Sequence, residues 1–256
     1  MTRQARLQLT EWVRFVAGFP RSRPLQIMST IESNLQAVRA RIAAAARAAG
    51  RDPAEIALLA VSKTFAAAAV RAAHAAGQRA FGENYVQEAL EKIAALSDLP
   101  LTWHFIGPIQ SNKTRAIAEH FDWVHSVARA KVAQRLAEAR PLGREPLDIC
   151  LQVNVSGETS KSGVAPEEVR PLAAAVRALP RLRLRGLMAI PEPGDDAGLQ
   201  RRRFRELRLL LAQLNADGYG LDTLSMGMSQ DLETAVMEGA TIVRIGTAVF
   251  GERKRA

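Results

Sequence analysis

With 256 residues, 48% hydrophobic and 24% charged, the chain can bury one large core, and it has no apolar stretch of the roughly 18 residues that a membrane-spanning helix needs. The net charge of +9 raises the question of nucleic acid, but +4 of it sits in residues 1–27 and the rest is scattered. One cysteine, Cys150, excludes an internal disulfide and reads as an inert core thiol in the run Leu147–Leu151, so a reducing cytoplasm is the expected compartment.

Residues 1–27 are Arg-rich, hold Glu11 as their one acid, and end in Gly18-Phe19-Pro20-Arg21-Ser22-Arg23-Pro24. They lack the uninterrupted apolar core and the small-residue cleavage site of a secretory signal. The expectation is a basic extension, either disordered or a mis-assigned start with Met28 as the true first residue, ahead of one domain over 28–256. A first helix is predicted from about Thr30 to Ala49, capped by Ser29 or Thr30 and ended by Gly50.

Eight strands follow: Ile56–Lys63, Arg79–Asn84, Leu101–Gly107, Trp123–Val127, Leu147–Ser156, Leu182–Ile190, Thr223–Met228 and Thr241–Gly246. Ala- and Leu-rich helices separate them, among them Tyr85–Leu96, Ala128–Ala139, Pro166–Leu179 and Leu199–Asn215. In the last, Arg201-Arg202-Arg203-Phe204-Arg205 precedes Leu207, Leu210, Leu211 and Leu214 at helical spacing, so this basic run is the solvated face of an amphipathic helix. Loops are marked at Pro141–Gly143, Pro191–Gly194 and Asp217–Gly220. Regular βα alternation implies a parallel sheet wrapped by helices, and eight strands in about 200 residues suit a single (β/α)8 TIM barrel preceded by an N-terminal helix. A doubly wound open sheet is the alternative, but no Gly-x-Gly-x-x-Gly follows the first strand.

In a barrel, chemistry belongs at the C-terminal ends of the strands. The first ends in Lys63, one of only six lysines against 29 arginines. A lysine there can snorkel its ammonium into water, the commoner use; desolvated, it becomes a nucleophile toward carbonyls. The second strand ends in Gly82-Glu83-Asn84-Tyr85 and the fifth in Asn154. The seventh and eighth lead into Ser225-Met226-Gly227-Met228-Ser229 and Arg244-Ile245-Gly246-Thr247. Barrels often bind phosphate after strands seven and eight, where glycines let the backbone approach an anion and hydroxyls add donors. A reactive lysine facing such a cradle suggests pyridoxal 5′-phosphate (PLP). A class I aldolase-like site would use the same logic on a sugar phosphate.

Ala60-Val61-Ser62-Lys63-Thr64, Phe81-Gly82-Glu83-Asn84-Tyr85, His104 to Lys113, Ser225-Met226-Gly227-Met228-Ser229 and Val243 to Gly251 together resemble the PLP homeostasis protein family of YggS/PROSC type, over roughly Ser29 to Glu252. The resemblance implies an alanine-racemase N-terminal-like barrel lacking the racemase C-terminal β domain. It implies PLP as an aldimine on Lys63, Asn84 beside the cofactor, and Ser229, Gly246 and Thr247 on the phosphate. Arg244 would face the pyridine nitrogen.

Two function classes compete. A PLP carrier would store and deliver the cofactor to PLP-dependent apo-enzymes and so affect amino-acid and keto-acid balance; a racemase or decarboxylase-like enzyme would turn substrate over. Racemization needs an acid/base group on each face of the cofactor. The related racemases take the second, a tyrosine, from their β domain, for which the sequence after strand eight leaves no room; the only tyrosines are Tyr85 and Tyr219. The carrier is therefore the preferred expectation, with no firmly catalytic residue. His74, His104, His120 and His125 show no metal-ligand spacing, and His74 and His120 fall on predicted helices. No nucleic acid or membrane is expected as a partner, and the chain is expected to be a monomer.

Overall fold

The computed structural model describes residues 23–157, 162–191 and 196–252. The expectation for the extension therefore lies outside the described residues as far as residue 22, as does that for the loop residues 192–194. The first helix, α1 (Arg23–Ala48), starts seven residues before Thr30, so neither Ser29 nor Thr30 caps it. Pro24 lies in its first turn, where the missing N–H costs nothing. Ile31, Leu35, Val38, Ile42, Ala45 and Ala46 recur every three or four residues along α1 and are buried.

After a 3-10 turn capped by Asp52, whose Oδ1 accepts the Ala54 N–H at 2.9 Å, come β1 (Ala57–Val61), α2 (Ala67–Ala75), β2 (Ala80–Glu83) and α3 (Val86–Ala95). Next are β3 (Thr102–Phe105), α4 (Thr114–His120), β4 (Trp123–Val127) and α5 (Ala130–Ala139). The chain continues with β5 (Leu147–Gln152), α6 (Val169–Arg177), β6 (Leu182–Met188) and α7 (Ala197–Ala216), and closes with β7 (Thr223–Ser225), α8 (Leu232–Met237), β8 (Ile242–Ile245) and α9 (Thr247–Phe250). The strands form a closed parallel barrel in sequence order, with β1 pairing β8 through Ala57–Ile242 and Leu59–Arg244.

All eight expected strands are present, but most end earlier than expected: β1 stops at Val61 rather than Lys63, and β7 at Ser225 rather than Met228. Lys63, Asn84, Asn154, Gly227, Ser229 and Gly246 therefore lie in the loops past the strands, while Glu83, Ser225 and Arg244 stay within β2, β7 and β8.

Alternation divides each strand between two environments. Every residue of β5 is buried, because one face meets helices and the other fills the barrel, so the strand reads as an apolar run. Outward residues such as Phe81, Phe105, Leu147, Ile149 and Leu151 pack with Phe121, Phe204 and Leu207 in the main core. Each fully buried side chain of this size contributes about 2–3 kcal/mol. A smaller cluster of Leu59, Val61, Ile106 and Ile242, with Ala80 and Trp123 against it, fills the barrel itself. Cys150 is fully buried, and burial pushes its thiol pKa up, as expected of an inert core thiol.

Candidate cofactor site

A cavity of about 590 Å³ opens at the C-terminal mouth. It is lined by Lys63, Asn84, Ser229, Arg244, Gly246 and Thr247, so all six residues singled out in the sequence meet in one place. Val61 and Ile106 form its apolar floor, while Arg41, Ile190 and Gln200 were not anticipated.

Lys63 stands two residues past β1 and is gripped on both flanks. Lys92, on α3 and almost fully buried, donates to the Ser62 carbonyl at 2.7 Å, to Glu83 Oε1 at 2.8 Å and to Glu88 Oε1 at 2.6 Å. Ser62 Oγ donates to the same Glu83 oxygen at 2.6 Å. On the other flank Glu88 Oε1 accepts the Thr64 N–H at 2.6 Å, and Thr64 has φ +68, a left-handed conformation that costs a β-branched residue free energy. One ammonium and two carboxylates thus hold Ser62 and Thr64, on either side of Lys63. Burial, only partly offset by Lys92 and Ser62, raises the Glu83 pKa, and its Oε2 is buried without a partner.

Asn84 is fixed by close approach: a Cβ on Gly107, just past β3, would sit 2.2 Å from the Asn84 carbonyl oxygen. The Asn84 side-chain oxygen is buried and accepts no hydrogen bond from the described residues. A second tight approach shapes the loop after β7. Gly227 has φ +94, and a Cβ there would lie 2.6 Å from the Ala235 Cβ, so the loop turns hard against α8. Asp231, at the head of α8, accepts the Met228 N–H at 2.5 Å and fixes the segment carrying Ser229. Gly246 and Thr247 open α9, with the Gly246 carbonyl accepting the Val249 and Phe250 N–H groups at 2.9 Å.

Arg244 rises from β8 into the cavity with its terminal nitrogens committed. Nη1 donates to the Ser225 carbonyl at 2.6 Å and to Ser225 Oγ at 2.8 Å; Nη2 donates to the Ala189 carbonyl at 2.8 Å. Burial lowers its pKa to about 10, so it remains charged at neutral pH. The Ser225 hydroxyl, which accepts from Arg244, also pairs with His125 Nδ1 at 2.7 Å, and His125 Nε2 pairs with His104 Nδ1 at 2.9 Å, the donor at each step set by the histidine tautomers. Burial pushes His104 down to about 3 and His125 well below its ordinary value, the latter helped by His104 and Arg244. His104 stacks on Trp123 with centroids 5.3 Å apart, and Arg185 lies 4.7 Å from the Trp123 ring. A polar column therefore runs down the barrel from Arg244 to the pairs of Arg185 with Asp148 and Asp222.

Other expected residues fall elsewhere. Tyr85 is 55% exposed and outside the cavity lining, and Tyr219 packs under Arg177. His74 and His120 lie on α2 and α4, where they contact Arg79 and the Ala116 carbonyl. On α7, Arg201 and Arg208 pair with Glu238. Among the described residues no group of three His, Cys, Asp or Glu could hold a metal, and no helix is long and apolar enough to cross a membrane. Arg41 and Lys92 carried no sequence signal: each sits on a helix among other charged residues, and only the tertiary contacts single them out.

A lysine at the mouth of the first strand, facing loops from the seventh and eighth, marks a class of barrel. The profile of the family described as alanine racemase, N-terminal domain, matches residues 33–254. The chain is 69% identical over 226 residues to the pyridoxal phosphate homeostasis protein of Pseudomonas aeruginosa, covering 88% of this chain and 97% of that protein. Its identity to the Escherichia coli K12 protein of the same name is 52% over 229 residues, covering 88% and 98%. The solved structure of PipY from Synechococcus elongatus with PLP bound matches with a TM-score of 0.76 at 43% identity, over 86% of this chain and 100% of that one. The chain belongs to the pyridoxal phosphate homeostasis protein family.

Proposed function

We propose that residues 28–256 form a PLP-binding barrel that holds the cofactor through the Lys63 amine and serves intracellular PLP homeostasis by storing and delivering it. One observation carries this reading: Lys63, Asn84, Ser229, Arg244, Gly246 and Thr247 line a single cavity. The residues suit the group. The buried, partnerless oxygen of Asn84 needs a donor, which the ring hydroxyl of PLP can supply. Ser229 Oγ and the N–H groups of Gly246 and Thr247 would hold the phosphate.

When bound, PLP supplies an aldehyde that an amine can capture and a ring that can accept electrons. The chain's own residues restrain the second property. Arg244 is charged and donates only, so it cannot give up a proton to a ring nitrogen at neutral pH, and the column through Ser225 and His125 holds it there. Lys63 can hold or move a proton on one side of the cofactor. Neither tyrosine lines the cavity, and Asp231, the acid that does, accepts the Met228 N–H. This favours a cytoplasmic carrier over a racemase, with PLP-dependent apo-enzymes as recipients.

The test is retention. Protein incubated with PLP and desalted should keep stoichiometric cofactor with a visible absorption band, and Lys63→Ala should lose both. Racemase assays with several amino acids should stay at background. Turnover at ordinary enzyme rates, abolished by Lys63→Ala, would replace the carrier with an enzyme.

A further inference from the structure

The phosphate of PLP carries close to two negative charges, yet the cradle formed by Ser229, Gly246 and Thr247 offers only neutral dipoles. Two carboxylates stand close by: Asp231 lines the cavity, and Glu233 lies in the first turn of α8. A cation beside the cradle would stabilise a dianion entering there. Among the described residues, three cations line the cavity: Arg41, Lys63 and Arg244. Arg244 has both terminal nitrogens committed to Ser225 and Ala189 deep in the barrel, and the proposed function assigns the Lys63 amine to the aldehyde end. Arg41 remains.

Arg41 comes from α1, outside the βα repeat, and reaches across to the anion loop. Its Nε and Nη2 grip the two oxygens of Glu233 at 2.9 and 3.0 Å, and Nη2 also donates to the Ser229 carbonyl at 3.1 Å. These bonds fix the plane of the guanidinium and leave the Nη1 edge of the fork for an anion. Its side chain is 38% exposed, which places it at the rim of the cavity.

Resting on the PLP-binding reading above, we propose that Arg41 is the charge partner of the cofactor's phosphate, oriented and tempered by Glu233, and that it makes the site select phosphorylated over unphosphorylated pyridoxal. The helix ahead of the barrel is then part of the binding site. Retention of the cofactor depends on how α1 sits against α8, and salt weakens it more than it weakens binding of the uncharged aldehyde.

The test is titration of wild type, Arg41→Gln and Arg41→Lys with PLP and, separately, with pyridoxal, followed by absorbance, with a thermal melt of each variant. Losing a charge-assisted contact should weaken PLP binding about 10- to 100-fold in Arg41→Gln. Pyridoxal binding should be unchanged, and Arg41→Lys should keep most of the PLP affinity. Equal losses for both aldehydes, or unchanged PLP affinity in Arg41→Gln, would overturn the inference and leave the PLP-binding reading standing. Wild-type protein that takes up neither aldehyde would overturn that reading itself.

Discussion

Lys63 was legible in the sequence; what holds it in place was not. A lysine four residues after a glutamate on a helix, as Lys92 follows Glu88, reads as an ordinary surface pair. Folding instead buries Lys92 against Glu83 and gives it three acceptors, all of which bear on the residues flanking Lys63. Removing one partner of a buried ion pair costs about 3–5 kcal/mol, since the other charge is left without compensation. Lys92→Met should therefore destabilise the protein by about 3 kcal/mol in urea unfolding and weaken PLP retention. Adding Glu83→Gln should restore part of the stability, because the stranded charge is gone. Single and double variants of equal stability would show that the clamp does not act as a unit.

At the scale of elements, the strands were readable because parallel strands buried on both faces are apolar throughout. Their ends were overrun for the converse reason: Ser62-Lys63, Val153-Asn154 and Met226-Gly227-Met228 continue the apolar or extended pattern after the ladder has stopped. The start of α1 was missed because a proline at the end of a basic run reads as a break, whereas in the first turn proline is tolerated. The two loops carrying Ser229 and Gly246-Thr247 were read as a candidate anion cradle and do line one cavity, but their rigidity comes from contacts distant in sequence. Gly227 is the clearest case. Gly227→Ala would need φ +94 from a residue with a Cβ and would drive that Cβ into Ala235. The expected cost is about 2 kcal/mol, seen as a lower melting temperature, with weaker PLP retention because Ser229 shifts. Unchanged melting and retention would mean that the loop is not braced by α8.

At the scale of the molecule, the barrel interior is unusual in its polarity. A hydrophobic filling would pack as well, but Arg244 needs acceptors beneath it, and Ser225, His125 and His104 continue the bonding down to Trp123 and Arg185. None of this was visible in the sequence, where His104 and His125 showed only the absence of metal-ligand spacing. It leaves a signature in pH. His104 titrates near 6.5 when unfolded and at about 3 when buried, so the unfolded chain takes up a proton that the folded barrel refuses. Stability should be full above pH 6.5 and fall as the pH drops toward 3, with His104 alone contributing a loss of about 2 kcal/mol by pH 5. Urea unfolding at pH 7, 6 and 5 measures this, and a flat profile would mean that the histidines are not held neutral. The column holds Arg244 over the cavity, and the whole account turns on what that cavity does with Lys63. The most direct measurement is borohydride reduction of PLP-loaded protein followed by peptide mass mapping. The account predicts a stable pyridoxyl mass on the peptide containing Lys63 and its absence in Lys63→Ala; a pyridoxyl mass confined to other lysines, or none at all, would contradict it.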